Sequence, residues 1–129
     1  MDGVILINKE KGWTSNDVVQ KVKKILKIKK IGHCGTLDPN ATGVLLVLIG
    51  SGTKISKYMV EHNKTYIVIL RLGEKRSTGD VEGEIIEHSD MFVYPSSELI
   101  QIILNSFLGK QKQIPPMYSA IKKGRKKAL

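Results

Sequence analysis

A chain of 129 residues is long enough for one modest domain with a real core. Its 21 Lys and Arg outnumber 12 Asp and Glu, giving a net charge of +9 and a pI near 9.7; such a surface attracts polyanions, nucleic acid foremost. The single cysteine, Cys34, excludes an internal disulfide framework and a thiolate metal site. The apolar run 44–49 is too short to cross a bilayer. The start, Met1-Asp2-Gly3 and then Val4 to Ile7, lacks the pattern of a secretory signal. These features lead us to expect a soluble, cytoplasmic protein that contacts no membrane.

In chain order, residues 3–8 read as a buried strand, and Lys9 to Gly12 as a turn. Thr14 stands three residues before Asp17, the spacing of a capping box. The helix it opens carries Val18, Val19, Val22, Ile25 and Leu26 on one face and Lys21, Lys23, Lys24 and Lys27 on the other. Lysines up to Lys30 then lead into a polar loop over residues 32–43, with glycines at 32, 35 and 43. Residues 44–49 read as a fully buried strand, and Thr53 to Glu61 as a short helix. Residues 65–72 are rich in β-branched and aromatic types and read as a strand. Gly73 to Gly83 reads as a polar connection and Glu84 to Glu87 as a short strand. Ser96 or Ser97 caps a helix with Leu99, Ile102, Ile103 and Phe107 on one face, ended by Gly109. Pro115-Pro116 forces an extended segment before a strand over residues 117–121. Several strands and about three helices, not strictly alternating, predict an α+β fold.

The loop 32–43 is the best candidate for chemistry. Asp38 before Pro39 suits an ordinary turn, because Asp accepts local backbone hydrogen bonds and Pro presets φ. Against that bland reading, the three glycines let backbone approach a ligand closely. His33 and Thr36 lie within five residues of Asp38, and a buried strand follows at once to hold the loop rigid. The loop lacks the Lys of a phosphate-binding P-loop. His33 has no His or Cys at metal-ligand spacing, so no metal site is expected. A carboxylate working without metal or cofactor acts as a nucleophile or a general base.

The loop residues from Gly32 to Leu45 resemble the signature of the TruB family of tRNA pseudouridine synthases. Five further segments resemble the same family in the same order. They are Lys11 to Val19, Gly52-Thr53-Lys54, Lys64-Thr65-Tyr66, Thr78-Gly79-Asp80 with Gly83, and Gln113 to Lys122. The resemblance implies a mixed, mostly antiparallel sheet with flanking helices and a catalytic cleft. It implies conversion of uridine 55 in the tRNA T-loop to pseudouridine, without metal or cofactor, on a base flipped out of its stack. Carried over by position, Asp38 matches the catalytic aspartate, which attacks the flipped nucleotide or deprotonates the sugar. Tyr66 matches the tyrosine that stacks on the uracil; on its residues alone it reads as a packed strand aromatic. His33 matches the histidine that contacts the RNA near that base. On charge rather than motif, Lys11, Lys21, Lys24, Lys30 and Lys64 are candidate phosphate contacts.

The chain departs from the family pattern at Ser77, where an acidic residue is usual, and again after Lys122. Residues 1–122 are therefore expected to be the N-terminal part of the catalytic domain, and residues 123–129 a basic tail where the pattern gives out. The arginine that pairs with the catalytic aspartate is expected beyond this chain, together with an RNA-binding module; Arg125 does not match it. On that expectation, Asp38 lacks the charge that would keep it ionised, and the chain's own activity is low or zero. The competing readings are an RNA-binding piece without catalysis and a chain that folds only with a complementary fragment.

Overall fold

The computed structural model describes residues 1–59, 62–90 and 93–114, together with the backbone of 122–123 and 126–127. The chain divides into two units, Met1–Tyr66 and Ile67–Leu129. The first unit holds a three-stranded antiparallel sheet in the order β1-β3-β2, formed by β1 (Gly3–Lys9), β2 (Ile31–Cys34) and β3 (Gly43–Ile49). β3 is central because it is apolar along its whole length, and both neighbours pair with it. Val47 lies opposite Ile5 on one side and His33 on the other, and Leu45 lies opposite Ile7.

Helix α1 (Ser15–Leu26) packs on one face of this sheet. Val18 and Val19 meet Leu45 and Val47 in a buried cluster, with Ile7, Trp13, Val22, Ile31 and Leu37 packed around it. The expected capping box is present. The Thr14 hydroxyl accepts from the Asp17 amide at 3.0 Å, and the Asp17 carboxylate accepts from the Thr14 amide at 2.9 Å and the hydroxyl at 2.6 Å. After β3 come a 3-10 turn over Gly50–Ile55 and one helical turn, α2 (Ser56–Met59). The expected helix from Thr53 to Glu61 is thus shorter and begins as 3-10; residues 60 and 61 lie outside the described residues.

The second unit contains a hairpin, helix α3 (Ser97–Ser106) and a short ladder. Strands β4 (Glu74–Arg76) and β5 (Ile85–His88) pair antiparallel. Part of the expected polar connection is therefore a strand. The Arg76 guanidinium closes the turn by donating to the Val81 and Gly83 carbonyls while paired with Glu74. Ser96 caps α3, its hydroxyl accepting from the Leu99 amide at 3.3 Å. Within the basic segment, β6 (Lys122–Lys123) pairs antiparallel with β7 (Lys126–Lys127). The expected strand over 117–121 lies outside the described residues. Residues 65–72 form no ladder among the described residues, and Ile67 and Ile69 are almost fully exposed. β-propensity fits a side chain to a pleated surface, but a strand also needs a neighbour's backbone groups.

The Thr14 hydrogen bonds hold the Asp17 carboxyl below its ordinary value. A group lowered in this way stabilises the fold above the carboxylate range and loses that contribution as pH falls through its folded pKa. Thr14→Ala should cost about 1 kcal/mol near neutral pH. In urea unfolding followed by circular dichroism, the gap between variant and parent should narrow on acidification below that range.

Candidate active site

The loop between β2 and β3 is tied to the first helix by three residues that precede it in the chain. The first is Lys9. β1 alternates inward and outward, and Lys9 takes the inward phase after Ile5 and Ile7, leaving it only 1% exposed. A buried ammonium is tolerated only when its donors are used. Lys9 Nζ donates to the carbonyls of Trp13 at 2.7 Å, Glu10 at 3.1 Å and Pro39 at 3.3 Å. Three protons meet three carbonyls, and no ion pair to Lys9 exists among the described residues.

The second tie is Gly12, whose amide donates to the Pro39 carbonyl at 2.8 Å. It does so from φ +86°, a conformation open to glycine. The third is Ser15, buried at the start of α1. Its hydroxyl accepts from the Leu37 amide at 2.9 Å and donates to the Leu37 carbonyl at 3.1 Å. Leu37 itself packs against the core cluster. The Asp38 carbonyl accepts from the Ala41 amide at 3.0 Å, with Pro39 second in the turn, where its fixed φ belongs.

Asp38 therefore projects from a pinned backbone. Its side chain is exposed, and among the described residues no hydrogen bond or ion pair engages the carboxylate. His33 is half-buried in β2, which runs to Cys34, so the first residues of the expected loop are strand instead. Their pairing with β3 explains the difference: Gly32 offers no side-chain signal, but its backbone is in register with Leu48. His33 lies opposite Val47 and so shares the sheet face that α1 covers. Its Nδ1 stands 2.6 Å from the Gly35 carbonyl. A carbonyl can only accept, so Nδ1 carries the proton and Nε2 of the neutral ring is left as an acceptor. Cys34 points to the opposite face, its thiol 3.8 Å from the Ser56 carbonyl.

The remaining expected residues lie in the same unit. Lys21 Nζ sits 4.6 Å from the centre of the Trp13 ring, a cation–π contact. Lys24, Lys30 and Lys11 are exposed, and Lys64 Nζ donates to the His62 carbonyl at 2.9 Å. Tyr66 is exposed in the unpaired segment that ends this unit. No hydrogen bond joins Asp38, His33 and Tyr66 to one another among the described residues. No group of three His, Cys, Asp or Glu is placed to hold a metal ion among them, and no helix among them is long and apolar enough to cross a membrane.

Over residues 23–129 the chain matches the family model for the TruB family pseudouridylate synthase (N terminal domain). The chain belongs to this family. The tRNA pseudouridine synthase B of Buchnera aphidicola subsp. Baizongia pistaciae is 53% identical over 122 residues, which cover 95% of this chain and 40% of that protein. The enzyme of the same name from Alkaliphilus oremlandii is 50% identical over 127 residues, 98% of this chain and 42% of that protein. The chain thus spans about two fifths of the length of the curated relatives it matches. A crystal structure of a Cbf5-Nop10-Gar1 complex aligns over 93% of this chain and 31% of that one, with TM-score 0.59 and 32% identity. The α+β reading agrees with this neighbour, and every ladder described here is antiparallel.

Sequence reasoning did not single out Lys9 or Ser15, although both carried a signal. Lys9 continues the inward phase of β1, and Ser15 falls in step with Val18, Val19 and Val22 on the buried stripe of α1. Lys9→Met should destabilise the first unit by about 2 kcal/mol, since it removes the side-chain donor that the Trp13 and Glu10 carbonyls share and leaves the Pro39 carbonyl to the Gly12 amide alone. Chemical denaturation of parent and variant checks this, and an unchanged midpoint would refute the role given to Lys9.

Proposed function

We propose that the chain carries the reactive loop of a tRNA pseudouridine synthase that isomerises uridine 55 of the T-loop, with Asp38 as the reactive carboxylate. The observation that carries this reading is the contrast at Asp38. Its backbone is held on both sides by Ser15, Gly12 and Lys9, while its carboxylate is exposed and unengaged among the described residues. A turn aspartate serving its own fold spends its side chain on local amides, and Asp38 does not. Membership in the TruB family and the names of its relatives support the same chemistry.

In this reaction the glycosidic bond from N1 of uracil to the ribose breaks, the base turns, and carbon 5 bonds to the ribose in its place. The proton on carbon 5 is released to solvent and N1 takes up a proton in its place, so that product and substrate are isomers. Asp38 acts on the nucleotide or on its sugar, and Tyr66 offers an aromatic face to the flipped base. The His33 Nε2 edge, its tautomer set by Gly35, is suited to an RNA hydroxyl. Lys11, Lys21, Lys24, Lys30 and Lys64 supply phosphate contacts in a chain whose net charge is +9. Of these, Lys21 also rests on Trp13, so its ammonium is already oriented.

A second reading, RNA binding without turnover, is favoured by one observation: no cation pairs with Asp38 among the described residues. Tritium release from tRNA labelled at carbon 5 of uridine separates the two. For the catalytic reading, Asp38→Asn should cut release at least about 100-fold with tRNA binding unchanged, and replacing uridine 55 by cytidine should abolish the site-specific signal. Binding without release supports the second reading, and neither binding nor release sinks both. Removing two exposed lysines, Lys24→Ala with Lys30→Ala, should reduce the slope of log affinity against log salt by about 2. An unchanged slope removes them from the phosphate-contact set.

A further inference from the structure

We propose that Ser15 is a positioning residue for Asp38: its buried hydroxyl holds both peptide groups of Leu37 and so fixes the direction in which the chain presents the carboxylate. The proposal rests on reading Asp38 as the reactive residue. Ser15 is 3% exposed and belongs to the face of α1 that meets the sheet. Its hydroxyl has one proton and two lone pairs, so it can donate to the Leu37 carbonyl and accept from the Leu37 amide at the same time.

The Leu37 carbonyl belongs to the peptide unit that enters Asp38, and its orientation sets φ of Asp38. The Asp38 carbonyl belongs to the next unit, held by the Ala41 amide, and its orientation sets ψ. The unit after that is held at the Pro39 carbonyl by Gly12 and Lys9. With both torsions fixed, the Asp38 Cβ has one direction, and the carboxylate keeps only its two side-chain rotations. Preorganisation of this kind is what a reacting group needs.

Neither the helix nor the core asks for a hydroxyl at this position. Thr14 already caps α1, and alanine is both a better helix former than serine and free of polar demands. What only the hydroxyl supplies is the link to Leu37. The link spans 22 residues of sequence and joins the start of α1 to the residue before Asp38.

The test compares the whole 129-residue chain with Ser15→Ala and Ser15→Thr by amide exchange in NMR. Ser15→Ala should speed exchange at Leu37 and Ala41 by about tenfold or more, while Leu45 and Val47 in β3 stay within about twofold. Ser15→Thr, which keeps the hydroxyl, should restore protection. Acceleration spread evenly over β3 would mark a merely structural residue, and unchanged exchange at Ala41 would show that the Asp38 turn does not depend on Ser15; either overturns the proposal. Should Ser15→Ala fail to fold, Ser15→Cys, close in volume but a weak hydrogen-bonding partner, is judged by the same pattern. Where tritium release is measurable, Ser15→Ala should lower the single-turnover rate about 10- to 100-fold with tRNA affinity within about twofold. A full rate in Ser15→Ala beside a lost rate in Asp38→Asn overturns positioning alone. A full rate in Asp38→Asn overturns the catalytic reading instead, and the exchange pattern then decides the role of Ser15 in the turn.

Discussion

Lys9 ends β1 with its ammonium enclosed by carbonyls from three places: the turn after the strand, the residue before the helix cap, and the loop beside Asp38. Taking that charge out of water is costly unless every proton finds an acceptor, so the acceptors must stay where they are. The order of the entry to α1 and of the β2–β3 loop is thereby coupled. Lys9 also lies opposite Gly43, where the loop returns to the sheet. One side chain thus touches the loop beside Asp38 and marks the point where the loop rejoins the sheet.

The same arrangement separates rigidity from reactivity. Both backbone groups of Leu37 and the carbonyls of Asp38 and Pro39 are engaged, and the Leu37 side chain is packed against the core. The Asp38 carboxylate is left out of this network. A loop can hold a charged group ready only if its own polar groups are satisfied by others, because otherwise the carboxylate would be recruited to cap the nearest amides. Here Ser15, Gly12, Lys9 and Ala41 do that work. Exposed lysines of α1, Lys21 and Lys24 among them, contribute to the chain's net charge of +9, which favours the approach of a polyanion.

The two units differ in how they are held. In the first, α1 and the sheet share a buried cluster centred on Val47, which is wholly inaccessible. In the second, α3 has its expected cap, and the β4–β5 hairpin is closed by Arg76, but α3 has no buried residue. Local signals such as a Ser cap or a turn arginine are sufficient to shape those elements. Burial of an amphipathic face is a separate requirement, met only where another apolar surface is present.

The amino-acid sequence by itself determined the elements whose causes are local: β1 and β3 from apolar runs, α1 from its spacing and capping box, α3 from its serine cap. It also determined the family, through motifs spread along the chain, and pointed to Asp38 because a polar, glycine-rich loop abuts a buried strand. What only the tertiary structure decided is everything that depends on a partner distant in sequence. β2 became a strand because Ile31 to Cys34 found the open edge of β3, whereas residues 65–72, with stronger β-propensity, form no ladder among the described residues. Lys9 and Ser15 acquired their roles from Pro39 and Leu37, 30 and 22 residues away. A side chain's chemistry is written in its type, but the carbonyl or amide that completes it is supplied by the fold.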